Sequence, residues 1–150
     1  MSPEDAEAVL ALQAELVIAL ELAADEASYR QDWRIQYAAE RVLERVFQAA
    51  QNLPETRRHL YFSDVGFQAL RGMRNRLAHN YLAVDDNILW EAISVDVPQV
   101  YDRLQADAAA ASILIRDLMA GQDTDSESWR RTHLASIGPQ DGQRPERTQS

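Results

Sequence analysis

The 150-residue sequence contains no cysteine, which excludes disulfide staples and thiolate metal sites and fits a reducing cytosol. Lysine is missing too: all 15 basic residues are arginine, a bias for which GC-rich coding is the plainer explanation. No run approaches the roughly 20 apolar residues that cross a bilayer, and no basic segment followed by an apolar stretch opens the chain. Neither a membrane span nor a signal peptide is expected, and the expected location is the cytoplasm. Glycine and proline are scarce, at five each, and no β alternation, internal repeat or glycine-rich phosphate loop is present. Positive charge is the scarce sign, with 15 basic against 24 acidic residues and a net charge of −9. Affinity for phosphates scales with the cations that touch them, so general nucleic-acid binding is excluded. Any action on nucleic acid must rest on a local concentration of arginine.

At 46% hydrophobic residues the chain can bury one core, and its apolar positions fall on four helical segments. Ser2-Pro3-Glu4-Asp5 reads as a helix start, with a serine cap, a proline in the first turn and acids at the positive end of the dipole. Val9, Leu12, Leu16, Ala19, Leu20 and Ala23 follow at helical spacing. The second helix is expected from near Asp32 to before Pro54, with Ile35, Ala39, Val42, Val46, Ala49 and Leu53 as its seam. A connection containing Pro54, with room for one helical turn, leads to Ser63, a cap for the third helix. The last begins at Asp85 or Asp86 and runs to Gly121, read as a stop signal, with Pro98 kinking it near Val97. The pattern predicts an all-α antiparallel bundle of four main helices with a kinked last helix, over residues 1–121. Residues 122–150, polar and without periodicity, are expected to form a mobile or partner-bound tail.

The third helix carries the chemistry: Arg74-Asn75-Arg76-Leu77-Ala78-His79-Asn80-Tyr81. Arginine neutralises a phosphate with a fixed fork of donors, and histidine moves protons near neutral pH. Arg71, Arg74 and Arg76 lie within six residues, with Arg57 and Arg58 upstream. With Gly66, Leu70, Met73 and Leu77 as the core line, Gly72, Asn75, Arg76 and His79 form the opposite stripe. Gly72 costs about 1 kcal/mol relative to alanine within a helix, and close approach of another backbone would account for it. Arg74 lies about 140° round the helix from His79. The two converge only if the helix is irregular or if two protomers face each other. Each residue also has a plainer reading. His79 at a helix C-terminus complements the dipole, and Tyr81 packs with its hydroxyl in water. Trp33 and Trp90 read as core or interface anchors. His59 and His133 lack partners at ligand spacing, so no metal and no cofactor is expected.

Arg74, four residues, His79, one residue and Tyr81 resemble the R-x4-H-x-Y pattern of HepT-like toxins of the HEPN superfamily of small helical ribonucleases. Asn75, Gly72-Met73, the Asp85…Trp90 segment and Gln36–Glu44 are similar to that family, so that the likeness covers roughly residues 5 to 118. Phe47-Gln48 departs from it where many relatives have Gly-Glu. The resemblance implies a homodimeric, metal-independent endoribonuclease in a toxin–antitoxin pair. Arg74, Asn75 and His79 would be catalytic, while Arg71 and Arg76 are expected to bind RNA because they concentrate positive charge beside them. Tyr81 would be adenylylated by an MntA-type nucleotidyltransferase antitoxin. The alternative is a non-catalytic HEPN subunit that partners a nucleotidyltransferase.

Overall fold

Four helices start where a short polar side chain receives the backbone N–H groups that a first turn leaves unpaired. The computed structural model describes residues 1–79 and 85–134, and among these every regular element is helical. Helix α1 spans Pro3–Leu22, where Ser2 and Asp5 form a reciprocal capping box at 3.1 and 3.3 Å. The short α2, Glu26–Gln31, is capped by Asp25, and α3, Trp33–Gln51, by Asp32. Helix α4 spans Glu55–His79, and α5, Asp86–Glu91, starts at the Asp85 cap. A π-helical segment, Ala92–Asp96, then leads into α6, Val97–Leu134.

The architecture is the expected all-α HEPN-like bundle, with α1, α3, α4 and the α5–α6 run as its four main helices. Cross-helix pairs show the antiparallel register. Arg45 of α3 holds Glu15 of α1 at 2.8 Å. Arg103 of α6 donates to the Tyr61 carbonyl at 3.1 Å, while Asp107, one turn on, receives Arg57 and the Tyr61 hydroxyl. Helix α3 packs against both α1 and α4. It therefore buries Leu43, Phe47 and Ala50 beside the expected Ala39, Val42, Val46 and Ala49. The core is completed by Val9, Leu12, Leu16 and Ala19 of α1 and by Leu89, Ile93, Val97, Val100 and Leu104. Tyr29 of α2 fixes the start of α5: its ring lies 5.0 Å from Trp90, and its hydroxyl donates to the Asp86 carbonyl at 3.0 Å.

Three expectations are corrected. The helix does not stop at Gly121 but passes through it to Leu134. Glycine permits the left-handed turn of a stop without imposing it, and no described glycine has positive φ. Thr124 and Thr132 return hydroxyl bonds to the carbonyls of Ala120 and Ser128, and Arg131 pairs with Glu127 one turn back. The chain divides into units after Ile115, and from Arg116 to Thr132 every side chain is exposed. The expected tail beyond residue 134 lies outside the described residues. Second, of the two readings of Trp33 the core is excluded: it is exposed, and its ring meets the edge of Tyr37 at 5.3 Å. Third, the stretch after Pro54 holds more than one helical turn, because it is helical from Glu55 up to the break at Ser63.

The kink at Pro98 takes a definite form. Proline has no N–H to offer the carbonyl four residues back, so the helix widens just before it. The Val97 N–H reaches back to Ala92, and the Ser94 hydroxyl bonds the Trp90 carbonyl at 2.6 Å.

Candidate active site

Helix α4 is two helices joined at a point. Ser63 has φ 58° and ψ 168°, a conformation that side chains with a Cβ rarely adopt, and it is the one non-helical residue in α4. Its hydroxyl accepts the Gly66 N–H at 3.3 Å, so Ser63 is the cap expected for the motif helix. From Asp64 to His79 the helix is regular.

The second half of α4 is held to α3 by aromatic rings. Phe67 stacks on Phe47 at 5.5 Å with 16° between planes, and Phe62 meets Phe67 edge-on at 6.0 Å. Three arginines gather on this buried stack. The guanidinium carbons of Arg58 and Arg71 lie 4.7 and 5.4 Å from the Phe67 centroid, and that of Arg74 lies 5.7 Å from Phe47. Arg74 also donates to the Asn75 side-chain oxygen at 3.4 Å. None of the three has a carboxylate partner among the described residues. Phe47, noted only as a departure from the family pattern, is thus the ring beneath the motif arginine.

The other expected residues separate onto different faces. Arg76 lines a cleft with Gly72, Ile88, Glu91 and Asp96, away from Phe47 and Phe67. Burial, then the nearby Glu91, raises the Asp96 carboxyl above its ordinary value. Asn75, Arg76, Gly72 and His79 are all exposed, as a stripe opposite the core requires. His79 ends the helix, and its side chain has no hydrogen bond or ion pair among the described residues. Tyr81 lies outside them. Because the helix is regular, Arg74 and His79 of one chain stay about 7.5 Å apart along its axis and about 140° apart around it. No local irregularity brings them together. At Gly72, a Cβ would meet nothing within 4 Å, so no neighbour in this chain accounts for the glycine.

Two groups escaped the sequence reading. His59 does have carboxylate partners: Glu55 at 3.3 Å and Asp64, which contacts the other ring nitrogen. Glu55 sits one turn back, a spacing that could have been noticed; Asp64 arrives only through the break at Ser63. Arg57 is neutralised by Asp107 within a network that includes Tyr61. The bond from Tyr61, then that from Arg57, holds the Asp107 carboxyl below its usual range. Burial, then the bond to Asp107, pushes the Tyr61 phenol up to about 12.

A helical bundle that presents an arginine-rich helix ending in an exposed histidine is the class of protein these features define. The chain belongs to the HepT-like family, whose model, "Ribonuclease HepT-like", matches residues 10–106. "Probable ribonuclease HepT" of Thermococcus cleftensis is 28% identical over 74 residues, 49% of this chain and 66% of its own. "Putative RNase MJ1216" of Methanocaldococcus jannaschii is 35% identical over 66 residues, 44% of this chain and 54% of its own. "Putative RNase TTE0752" of Caldanaerobacter subterraneus is 37% identical over 60 residues, 40% of this chain and 53% of its own. The chain thus spans between about half and two thirds of the length of these relatives. No solved structure matches it.

Proposed function

We propose that the protein is a metal-independent endoribonuclease, the toxin of a toxin–antitoxin pair, acting as a homodimer. The observation that carries this reading is Arg74, held on Phe47 without a carboxylate partner among the described residues, on the helix that ends in His79. One His79 takes the proton from a ribose 2′-hydroxyl, which attacks the adjacent phosphorus. The departing 5′-oxygen receives a proton from the partner copy's equivalent histidine. Arg74 stabilises the charge that builds on the phosphorane, and Asn75, bonded to it, keeps the guanidinium in place. The products are a 2′,3′-cyclic phosphate and a free 5′-hydroxyl, so DNA is not a substrate. The wide angle between Arg74 and His79 within one chain supports a cleft completed by a second copy. So does Gly72, exposed on the same stripe with space beside it.

Tyr81 follows His79 by two residues. A nucleotidyltransferase partner that places AMP on its hydroxyl would add bulk and negative charge where the RNA phosphate sits. The net charge of −9 favours the second reading, a non-catalytic subunit that partners such an enzyme.

Incubation of the purified chain with RNA separates the two. Catalysis predicts cyclic phosphate ends, undiminished in chelator, and a loss of at least 100-fold in His79→Ala and Arg74→Ala with helical content unchanged. Full activity of His79→Ala would refute the mechanism. Co-expression with the cognate nucleotidyltransferase should add AMP mapped by mass to Tyr81. An adduct elsewhere would remove the switch and leave the ribonuclease reading intact.

A further inference from the structure

Arg58 and Arg71 reach the same phenyl ring although thirteen residues separate them. In an unbroken helix their backbones would stand about 20 Å apart along the axis. The break at Ser63 turns Glu55–Phe62 relative to the motif helix, and both guanidiniums settle on Phe67, at 4.7 and 5.4 Å. They share a cleft of about 220 Å³ whose walls include Glu55, His59 and Asp64. Both of these carboxylates are bonded to His59. The two guanidiniums have no such partner among the described residues, in a chain with a large excess of acids.

We propose that this cleft is a phosphate clamp for the strand of RNA beyond the cleaved step, with Arg58 and Arg71 as its forks. The proposal rests on the ribonuclease reading and names how that site holds its substrate. Arg74, on the neighbouring ring of the stack, is the next cation towards His79, so the backbone runs along α4 from the motif to the Ser63 break. Phe47 and Phe67 are buried, at 3% and 8% exposure, and no base can stack on them. The rings orient arginines. The clamp therefore grips the sugar–phosphate chain without preference for sequence, unlike sites that combine a basic groove with exposed aromatic platforms. Arg76 belongs to a different cleft, beside Glu91 and Asp96, and has no part in it.

The test measures binding of single-stranded oligoribonucleotides to the His79→Ala protein by fluorescence anisotropy over a range of salt. Arg58→Ala and Arg71→Ala should each weaken binding several-fold, equally for uridine and adenosine homopolymers. Each should lower the dependence of log affinity on log salt by about 0.7. Arg58→Lys should restore that slope, because it returns the charge. Arg34→Ala, which removes an arginine already paired with Asp32 at 2.9 Å, should leave it unchanged. If both alanine variants keep the parent's affinity and slope, the clamp is wrong while the ribonuclease reading stands. If Arg58→Lys fails to recover the slope, Arg58 matters for packing on Phe67 alone, which also overturns the proposal. A parent protein that binds no RNA, with a wild type that cleaves none, overturns both readings.

Discussion

Replacing Ser63 with glycine should stabilise the protein, although it deletes a helix cap. At φ 58° and ψ 168° the serine occupies a region open essentially to glycine alone, at a cost of about 1–3 kcal/mol. Glycine removes that cost. Against it stand the lost bond to the Gly66 N–H, worth a few tenths when glycine is the replacement, and about 0.5–1 kcal/mol of added chain entropy in the unfolded state. The balance is a gain of about 1 kcal/mol. Alanine makes the opposite experiment, since it keeps the Cβ and therefore the strain but loses the cap, and should cost about 1 kcal/mol. The two variants should thus differ by about 2 kcal/mol, read from urea midpoints at constant slope. If glycine and alanine prove equally stable, Ser63 is unstrained in solution and the reasoning fails.

Phe47→Leu should retain the fold at a cost of about 1 kcal/mol and lower RNA cleavage several-fold, as loss of one cation–π contact to Arg74 requires; unchanged cleavage would show that the ring does not position the guanidinium. Tyr29 and Tyr61 both have phenols raised to about 12, chiefly by burial. Their neutral forms therefore add stability that is complete below the ordinary value of about 10 and fades as pH climbs towards 12. Circular dichroism and phenolate absorbance should show unfolding within that window, and ionisation of both phenols before unfolding would contradict it. Arg45→Ala should destabilise by about 1–3 kcal/mol, because Glu15 is nearly buried and its second oxygen has no partner among the described residues. Glu15→Met, tested in the same urea titration, should cost little.

The helices were legible because each begins with a side chain whose purpose is local: Ser2, Asp32, Ser63 and Asp85 all cap where expected. The α3 seam was legible for the same reason, since four-and-three spacing is a property of one helix. The second stripe of α3, Leu43 and Phe47, was not, because it exists only through packing against a further helix. Helix α2, at six residues, is too short to show a period. Within the candidate site, the outward stripe of Asn75, Arg76 and His79 followed from angular position. The grouping of Arg58 with Arg71 did not. It depends on a backbone break that no residue type announces. Gly121 misled because glycine licenses a turn without demanding one.

The long α6 has a consequence for the protein in time. Up to Ile115 its inner face is locked into the core, where opening requires global unfolding. From Arg116 to Thr132 its side chains are exposed, and the hydroxyl bonds of Thr124 and Thr132 reach back a single turn. An isolated helix of such length is marginal in water. One continuous helix should therefore keep two clocks, with amide protons surviving long before Ile115 and being replaced rapidly after it.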